Sequence, residues 1–335
     1  MARREEGGEE ASSDGGEPEL SRKEVTLLLI RDVGIAGILV AIVFGTMFAY
    51  TQVWPPVVVV ESGSMQHSNS RGYLGVIDTG DLVLVQAVHS SSEVVTYIEG
   101  RGSGYETYAN YGDVIVFHPP NSTPGTTPII HRALLYAEYP SASGPGVDIL
   151  GLARFPGSEW SATGWDNRAT TQTVNLRSVT ILVQEWPGGS LQFTGQTINF
   201  TGWITSGTMK AGFITKGDHN SGWDNGYSGG GPPPVPVTEI IGKARGELPW
   251  FGLIKLTVSP TAGCCDGWGD GTAPRNSWDS LATSLVLIPV GIFLADYGFA
   301  YAERLWKAYR GKTRGAVEPP ETAEEELSPK PDDPR

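Results

Sequence analysis

Three side-chain types needed for acyl transfer lie in short, well-separated stretches of this 335-residue sequence. Ser64 sits in Ser62-Gly63-Ser64-Met65, and His131 in Ile129-Ile130-His131-Arg132. Asp218 lies in Thr215-Lys216-Gly217-Asp218-His219-Asn220, with Asp224 just beyond. A serine hydroxyl is a feeble nucleophile until a base takes its proton. A neutral imidazole, with a pKa near ~6.5, can take that proton and return it around neutral pH. A carboxylate then fixes the tautomer and steadies the imidazolium. Each residue also has an ordinary reading: Ser64 as a turn serine, His131 as a strand-end histidine, Asp224 as the cap of a turn beside Asn225-Gly226. Lys216 is an alternative base beside the acidic stretch, while His67, His89, His118 and His219 read as surface or loop residues.

The position of Ser64 along the chain adds a second constraint. Val33 to Thr51 is an uncharged run that includes Ile35, Ile38, Leu39, Val43 and Phe48, and only a dozen residues separate it from Ser64. At about 1.5 Å per residue such a run crosses a hydrocarbon core of roughly 30 Å. Gln52-Val53-Trp54-Pro55-Pro56 follows it with no small-residue cleavage site, so it reads as a retained anchor, residues 31–52, with Trp54 at the interface. A second apolar run, about Leu281 to Tyr301 within residues 280–302, carries Pro289, and Asp296 near its end. Arg22, Lys23 and Arg31 precede the first run, and Arg304, Lys307, Arg310, Lys312 and Arg314 follow the second. The positive-inside rule then puts both termini in the cytoplasm and residues 53–279 outside.

Composition narrows the rest. Net charge is −13, and the tails, residues 1–20 and 315–335, contribute −5 each. A globally acidic chain does not draw nucleic acid by its bulk field, so no nucleic-acid partner is expected. Residues 1–30 and the end of 303–335 read as disordered acidic segments, the latter after a basic flank. The adjacent Cys264 and Cys265 read as small apolar loop residues, because neighbouring cysteines make a strained ring. No other cluster has ligand spacing, so neither a metal nor a cofactor is expected.

The outer segment reads as mainly β. Strands are expected at Val57–Val60, Leu82–Val85, Val114–Phe117, Ile129–Ile130, Val179–Val183, Gly212–Thr215 and Ile254–Leu256, separated by Gly, Pro, Asn and Asp. Residues 136–211, with Trp160, Trp165, Trp186 and Trp203, read as an inserted β-rich subdomain interrupting a domain made of 53–135 and 212–279. The insertion is expected to form a separate lobe away from the cleft, its two ends close together.

These stretches, in this order behind an apolar span, resemble type I signal peptidases of the archaeal and endoplasmic-reticulum branch. Ser62-Gly63-Ser64-Met65 looks like the family's nucleophile box, and Gly80-Asp81-Leu82-Val83 and Gly112-Asp113-Val114-Ile115 like its strand boxes. Ile130-His131-Arg132 matches the box in which this branch has His and the bacterial branch has Lys. Phe213–Asp218 with Asp224 resembles the acidic box, and Ile241-Gly242-Lys243-Ala244-Arg245-Gly246 the closing strand. The likeness covers roughly 33–135 and 212–258. His67 stands where the family often has Pro, and His219 where it usually has Asn.

The resemblance implies a membrane-bound serine endopeptidase with a signal-peptidase-like β-domain between two transmembrane helices. Ser64 would be the nucleophile, His131 the base and Asp224 the orienting carboxylate, with Asp218 supporting it. The Ser64 backbone N–H and the Ser62 hydroxyl would serve the oxyanion. Expected partners are signal-peptide-bearing preproteins, the lipid bilayer and the protein translocation machinery. Substrate would bind extended against an edge strand, with small residues favoured at the first and third positions before the cut. Two other readings remain at this stage: an inactive relative of the family, or a cell-surface β-domain that binds through its tryptophans. Ser64→Ala distinguishes them, since only a peptidase would lose an activity.

Overall fold

The computed structural model describes residues 21–182, 196–224, 231–261, 264–265 and 267–315. Trp186, residues 1–20 and residues 316–335 lie outside the described residues.

Helix α1 (Arg22–Thr51) begins earlier than its uncharged core. Ser21 and Glu24 form a capping box, Ser21 Oγ accepting from the Glu24 amide while Glu24 Oε2 accepts from the Ser21 amide. Residues 22–30, expected within the acidic tail, are therefore helical, because Val25 and residues 27–30 extend the apolar sequence upstream of the one charged step at Arg31-Asp32. Ile35, Leu39 and Val43 are each at least half exposed. Gln52, at a left-handed φ of 57°, ends the helix by donating its amide to the Phe48 carbonyl.

The chain then lays down β1 (Val57–Val59), β2 (Leu82–Gln86), α2 (Tyr97–Ser103), β3 (Glu106–Thr107), β4 (Asn110–Tyr111), β5 (Val114–Phe117) and β6 (Ile129–Ala137). After β6 come β7 (Trp160–Gly164), β8 (Ala169–Thr170), β9 (Leu176–Ile181), β10 (Gln196–Asn199) and α3 (Thr201–Thr205). Strands β11 (Gly212–Lys216) and β12 (Ile240–Leu248) follow, then α4 (Gly252–Val258) and α5 (Arg275–Gly315). One antiparallel sheet runs in the order β1-β2-β12-β5-β6-β11, and β3 and β4 form a small hairpin. The described chain is thus mainly sheet between two helices, Arg22–Thr51 and Arg275–Lys307, each long and apolar enough to cross a membrane.

Three expectations need correction. Ile254-Lys255-Leu256 is not a strand but part of α4: Leu253 and Leu256, one helical turn apart, are fully buried while Ile254 and Val258 face out. Cys264 and Cys265 are joined as a disulfide instead of lying separate. Backbone hydrogen bonds tie Cys264 to Thr261, and both cysteines pack with Leu253, Leu256 and Trp278.

The third concerns the insertion. It does have its own antiparallel sheet, in the order β10-β9-β7-β8. Yet its core is not its own. Val147, Leu176, Val179, Ile198, Phe200 and Trp203 form one buried cluster with Tyr97 and Ile98 of α2, Leu134 and Leu135 of β6, Ile214 of β11, and Trp223. A four-stranded sheet with one apolar face has to cover that face, and here α2, β6 and β11 cover it. The lobe has a sheet of its own but is continuous in packing with the larger one.

Candidate active site

Ser64 lies in a single 3-10 turn, Gly63–Met65, set between β1 and β2 in sequence. Met65 anchors that turn: it is 1% exposed and packs with Val60, Ile77, Val83, Val114 and Ala244. On the far side, Gln66 Oε1 accepts from both the amide and the hydroxyl of Thr79. The amide of His219 donates to the Ser64 carbonyl at 2.8 Å, which ties the turn to the loop after β11.

His131 comes from the end of β6 that pairs only with β5, opposite Ile115. Its Nδ1 is 2.5 Å from Asp224 Oδ2 and its Nε2 is 2.9 Å from Ser64 Oγ. An ionised carboxylate can only accept, so Nδ1 carries the proton and Nε2 is left to accept from the serine hydroxyl. Asp224 is itself fixed to β11. Its amide donates to the Thr215 carbonyl at 2.9 Å, and Thr215 Oγ1 donates to its Oδ2 at 2.7 Å. Two donors on one carboxylate oxygen hold its plane toward the imidazole. This is the arrangement that lets a histidine withdraw the serine proton and hand it to a leaving group.

Gly217 leaves room for that contact. A Cβ there would lie 2.5 Å from the Ser64 carbonyl oxygen and 2.8 Å from His131 Nε2, closer than real carbon contacts. Any side chain at this position would push Ser64 and His131 apart.

Asp218 is not brought to His131. Its carboxylate, 1% exposed, receives Arg132 Nε at 2.9 Å on Oδ1 and Arg132 Nη2 at 2.6 Å on Oδ2. His67 Nε2 lies 3.1 Å from the same Oδ2. Burial alone would raise the Asp218 pKa, but the Arg132 guanidinium outweighs it and holds the acid at about 2. Arg132 in turn donates through Nη1 to the carbonyls of Thr107, Asn110, Tyr111 and Gly112 around the β3–β4 hairpin. His67, expected at the surface, is thus largely enclosed, with its side chain 11% exposed, because it has a buried anion to meet.

Lys216 is fully buried and donates to the Gly217 carbonyl at 2.9 Å. Burial pulls its pKa down to about 8 against the opposing pull of Asp218 and Asp224. His131, not Lys216, is the group within reach of Ser64 Oγ. Ser62 Oγ lies 3.3 Å from Ser64 Oγ, near enough to reach an oxygen bound beside Ser64. Arg132, Thr215, Gly217 and His67 were not assigned a site role from sequence. Two carried a signal: Arg132, a charged residue next to His131 on a strand of otherwise apolar residues, and His67, which stands where the family often has Pro.

The serine and histidine open onto a cleft of about 500 Å³ whose walls include Val59, Glu61, Thr127, Pro128 and Ile130. Lys255 pairs with Glu61 at its rim. Two strand edges face this space. Strand β1 is the end strand of the six-stranded sheet, and β11 pairs with β6 only from Arg132 onward, leaving Ile129–His131 open on that side. Among the described residues, no group of three or more His, Cys, Asp or Glu is arranged to hold a metal ion.

Searches of family models and of curated proteins give no match to this chain.

Proposed function

We propose that this chain is a membrane-anchored serine endopeptidase that removes N-terminal signal peptides from exported preproteins. The observation that carries the reading is the Ser64–His131–Asp224 line, at 2.9 and 2.5 Å, at the mouth of a cleft bounded by two open strand edges. An extended peptide laid between β1 and Ile129–His131 finds backbone partners on both sides. Val59 and Ile130 then offer shallow apolar contacts suited to small side chains.

Chemistry follows from the geometry. Ser64 Oγ attacks the scissile carbonyl carbon while its proton passes to His131 Nε2. The developing oxyanion is met by the Ser64 amide and the Ser62 hydroxyl. Collapse of the tetrahedral adduct breaks the C–N bond, with His131 returning the proton to the leaving amine. Water, deprotonated by His131, then attacks the acyl-Ser64 ester and frees the signal-peptide carboxylate and the serine hydroxyl. Throughout, Asp224 stays ionised and steadies the imidazolium.

Both long apolar helices enter this reading as transmembrane anchors in a cell membrane. The termini face the cytoplasm, in line with the flanking Arg and Lys, and the β-domain lies on the outer side, where precursors emerge from the translocation machinery. The test is cleavage of a preprotein by the detergent-solubilised full chain beside its Ser64→Ala and His131→Ala variants. Wild-type cleavage at the signal junction, lost in both variants with the thermal transition retained, is expected. Full processing by Ser64→Ala would remove the reading.

A further inference from the structure

His67 lies three residues after the nucleophile and outside the Ser64–His131–Asp224 line. Its Nε2 is 3.1 Å from Asp218 Oδ2, which also receives Arg132 Nη2. Arg132 directly follows the base in β6, and Asp218 opens the loop that ends at Asp224. One buried carboxylate therefore joins the three segments that supply nucleophile, base and acid. Arg132 and Asp218 fix two of them to each other. His67 is the side chain that brings in the third.

We propose that His67 is a positioning residue: by donating from Nε2 to Asp218 it holds the Ser64 turn in register with His131. The proposal rests on the peptidase reading and deepens it. A carboxylate paired with a buried guanidinium stays ionised and only accepts. Neutral His67 with its proton on Nε2 and the imidazolium can both donate to it.

The turn has other ties, and they divide the work. Met65 in the core and Gln66 on Thr79 hold it to the sheet and to the loop before β2. On the side of the acidic loop stand the His219 amide to the Ser64 carbonyl and the His67 side chain. Removing His67 leaves the first pair in place, so the turn persists while its setting toward His131 loosens. A misplacement of about 1 Å at a reacting atom costs on the order of 10²-fold in rate. The cleft walls, Val59 and Ile130, are untouched, so substrate binding stays close to wild type.

The experiment compares the full-length chain with His67→Ala and His67→Gln. Glutamine places its Nε2 donor about where the imidazole has its own. Against a preprotein, His67→Ala is expected to lower kcat by roughly 10- to 100-fold with KM within about twofold, and His67→Gln to recover most of the loss. Amide hydrogen exchange on the inert Ser64→Ala background provides a reading independent of activity. Adding His67→Ala there is expected to speed exchange at residues 65–68 and at His219 and nowhere else. Unchanged exchange in that loop overturns the proposal, as does a glutamine variant as slow as the alanine variant. So does exchange accelerated across the whole domain with a lowered Tm, the mark of a general structural role. A wild-type protein that cuts no precursor would count against the peptidase reading, and the exchange rates would still decide the tie.

Discussion

Asp218 meets Arg132 edge to edge, with Oδ1 2.9 Å from Nε and Oδ2 2.6 Å from Nη2, and neither side chain is more than 1% exposed. The pair divides the roles of the two aspartates in the acidic loop. Asp224 addresses the imidazole, whereas Asp218 neutralises a guanidinium that would otherwise be buried alone. Arg132 and His131 are neighbours on β6 and face different partners, so a single strand carries both the imidazole that meets Asp224 and the guanidinium that holds Asp218.

The two aspartates should therefore fail differently. Asp224→Asn is expected to cut kcat by about 10⁴-fold, because an amide can present its donor to Nδ1 and spoil the tautomer, while Tm changes little. Asp218→Ala should instead cost about 3–5 kcal/mol of stability, the penalty of leaving Arg132 buried without its anion. Thermal melts beside single-turnover cleavage check both. Equal activity in wild type and Asp224→Asn would take Asp224 out of the mechanism.

Stability should fall as pH rises from acid to neutral. Burial first, and then Asp81 nearby, push the Asp78 carboxyl up to about 7; burial likewise holds Asp81 at about 7. Glu247, also raised by burial, adds a third acid, and Asp78 Oδ1 and Glu247 Oε2 lack hydrogen-bond partners. Both aspartates have ordinary values of 3.8, so between there and about 7 the folded chain holds protons that the unfolded chain releases. Their contribution is complete below about 4 and lost as pH rises through about 7. Asp218 runs the other way, its contribution present above 3.8 and lost toward about 2. Asp78→Asn keeps an acceptor for the Tyr73 amide without the charge. It should raise Tm at pH 8 more than at pH 5; an equal effect at both would contradict this assignment.

Deleting the insertion should unfold the domain. Replacing 138–209 with a short linker would strip Trp203, Phe200, Val179 and Ile198 from a core they share with Leu135, Ile214 and Trp223. Trp203→Ala alone should cost about 3–5 kcal/mol, since the ring is 2% exposed and its Nε1 donates to the Gly231 carbonyl. Loss of the cooperative thermal transition in the deletion is the expected result. A deletion that melts like wild type would restore the picture of an independent lobe.

Topology can be read from two Asn-X-Ser/Thr sequences. Asn121 is exposed in a loop at a φ of 66°. Asn199 ends β10 with its side-chain oxygen accepting from the Thr201 amide, beside a fully buried Phe200. In a host that glycosylates exported chains, a mass shift is expected that Asn121→Gln removes and Asn199→Gln does not. Protease shaving of intact cells should cut within the outer domain and spare tags at both ends. The reverse pattern would invert the proposed orientation.

The residue types, their order and the apolar spans are legible in one dimension. Alternating apolar runs with Gly-Asp turns locate β2, β5 and β11 closely, and Ser64, His131 and Asp224 stand out as chemistry-bearing groups in stretches otherwise suited to strands and turns. Local pattern misassigned Ile254–Leu256, because three residues cannot separate a strand from a helical turn, and only the burial of Leu253 against Leu256 decides it. The pairing of Asp224 with the imidazole was legible only through the family resemblance, and the other partners were not legible at all. That Asp218 takes Arg132 and His67, and that the insertion shares its core, depend on segments far apart in the chain meeting in space. A residue's type sets what it can donate or accept; which partner it gets is set by the approach of strands and loops, here by β11 ending at Lys216 and turning over the open edge of β6.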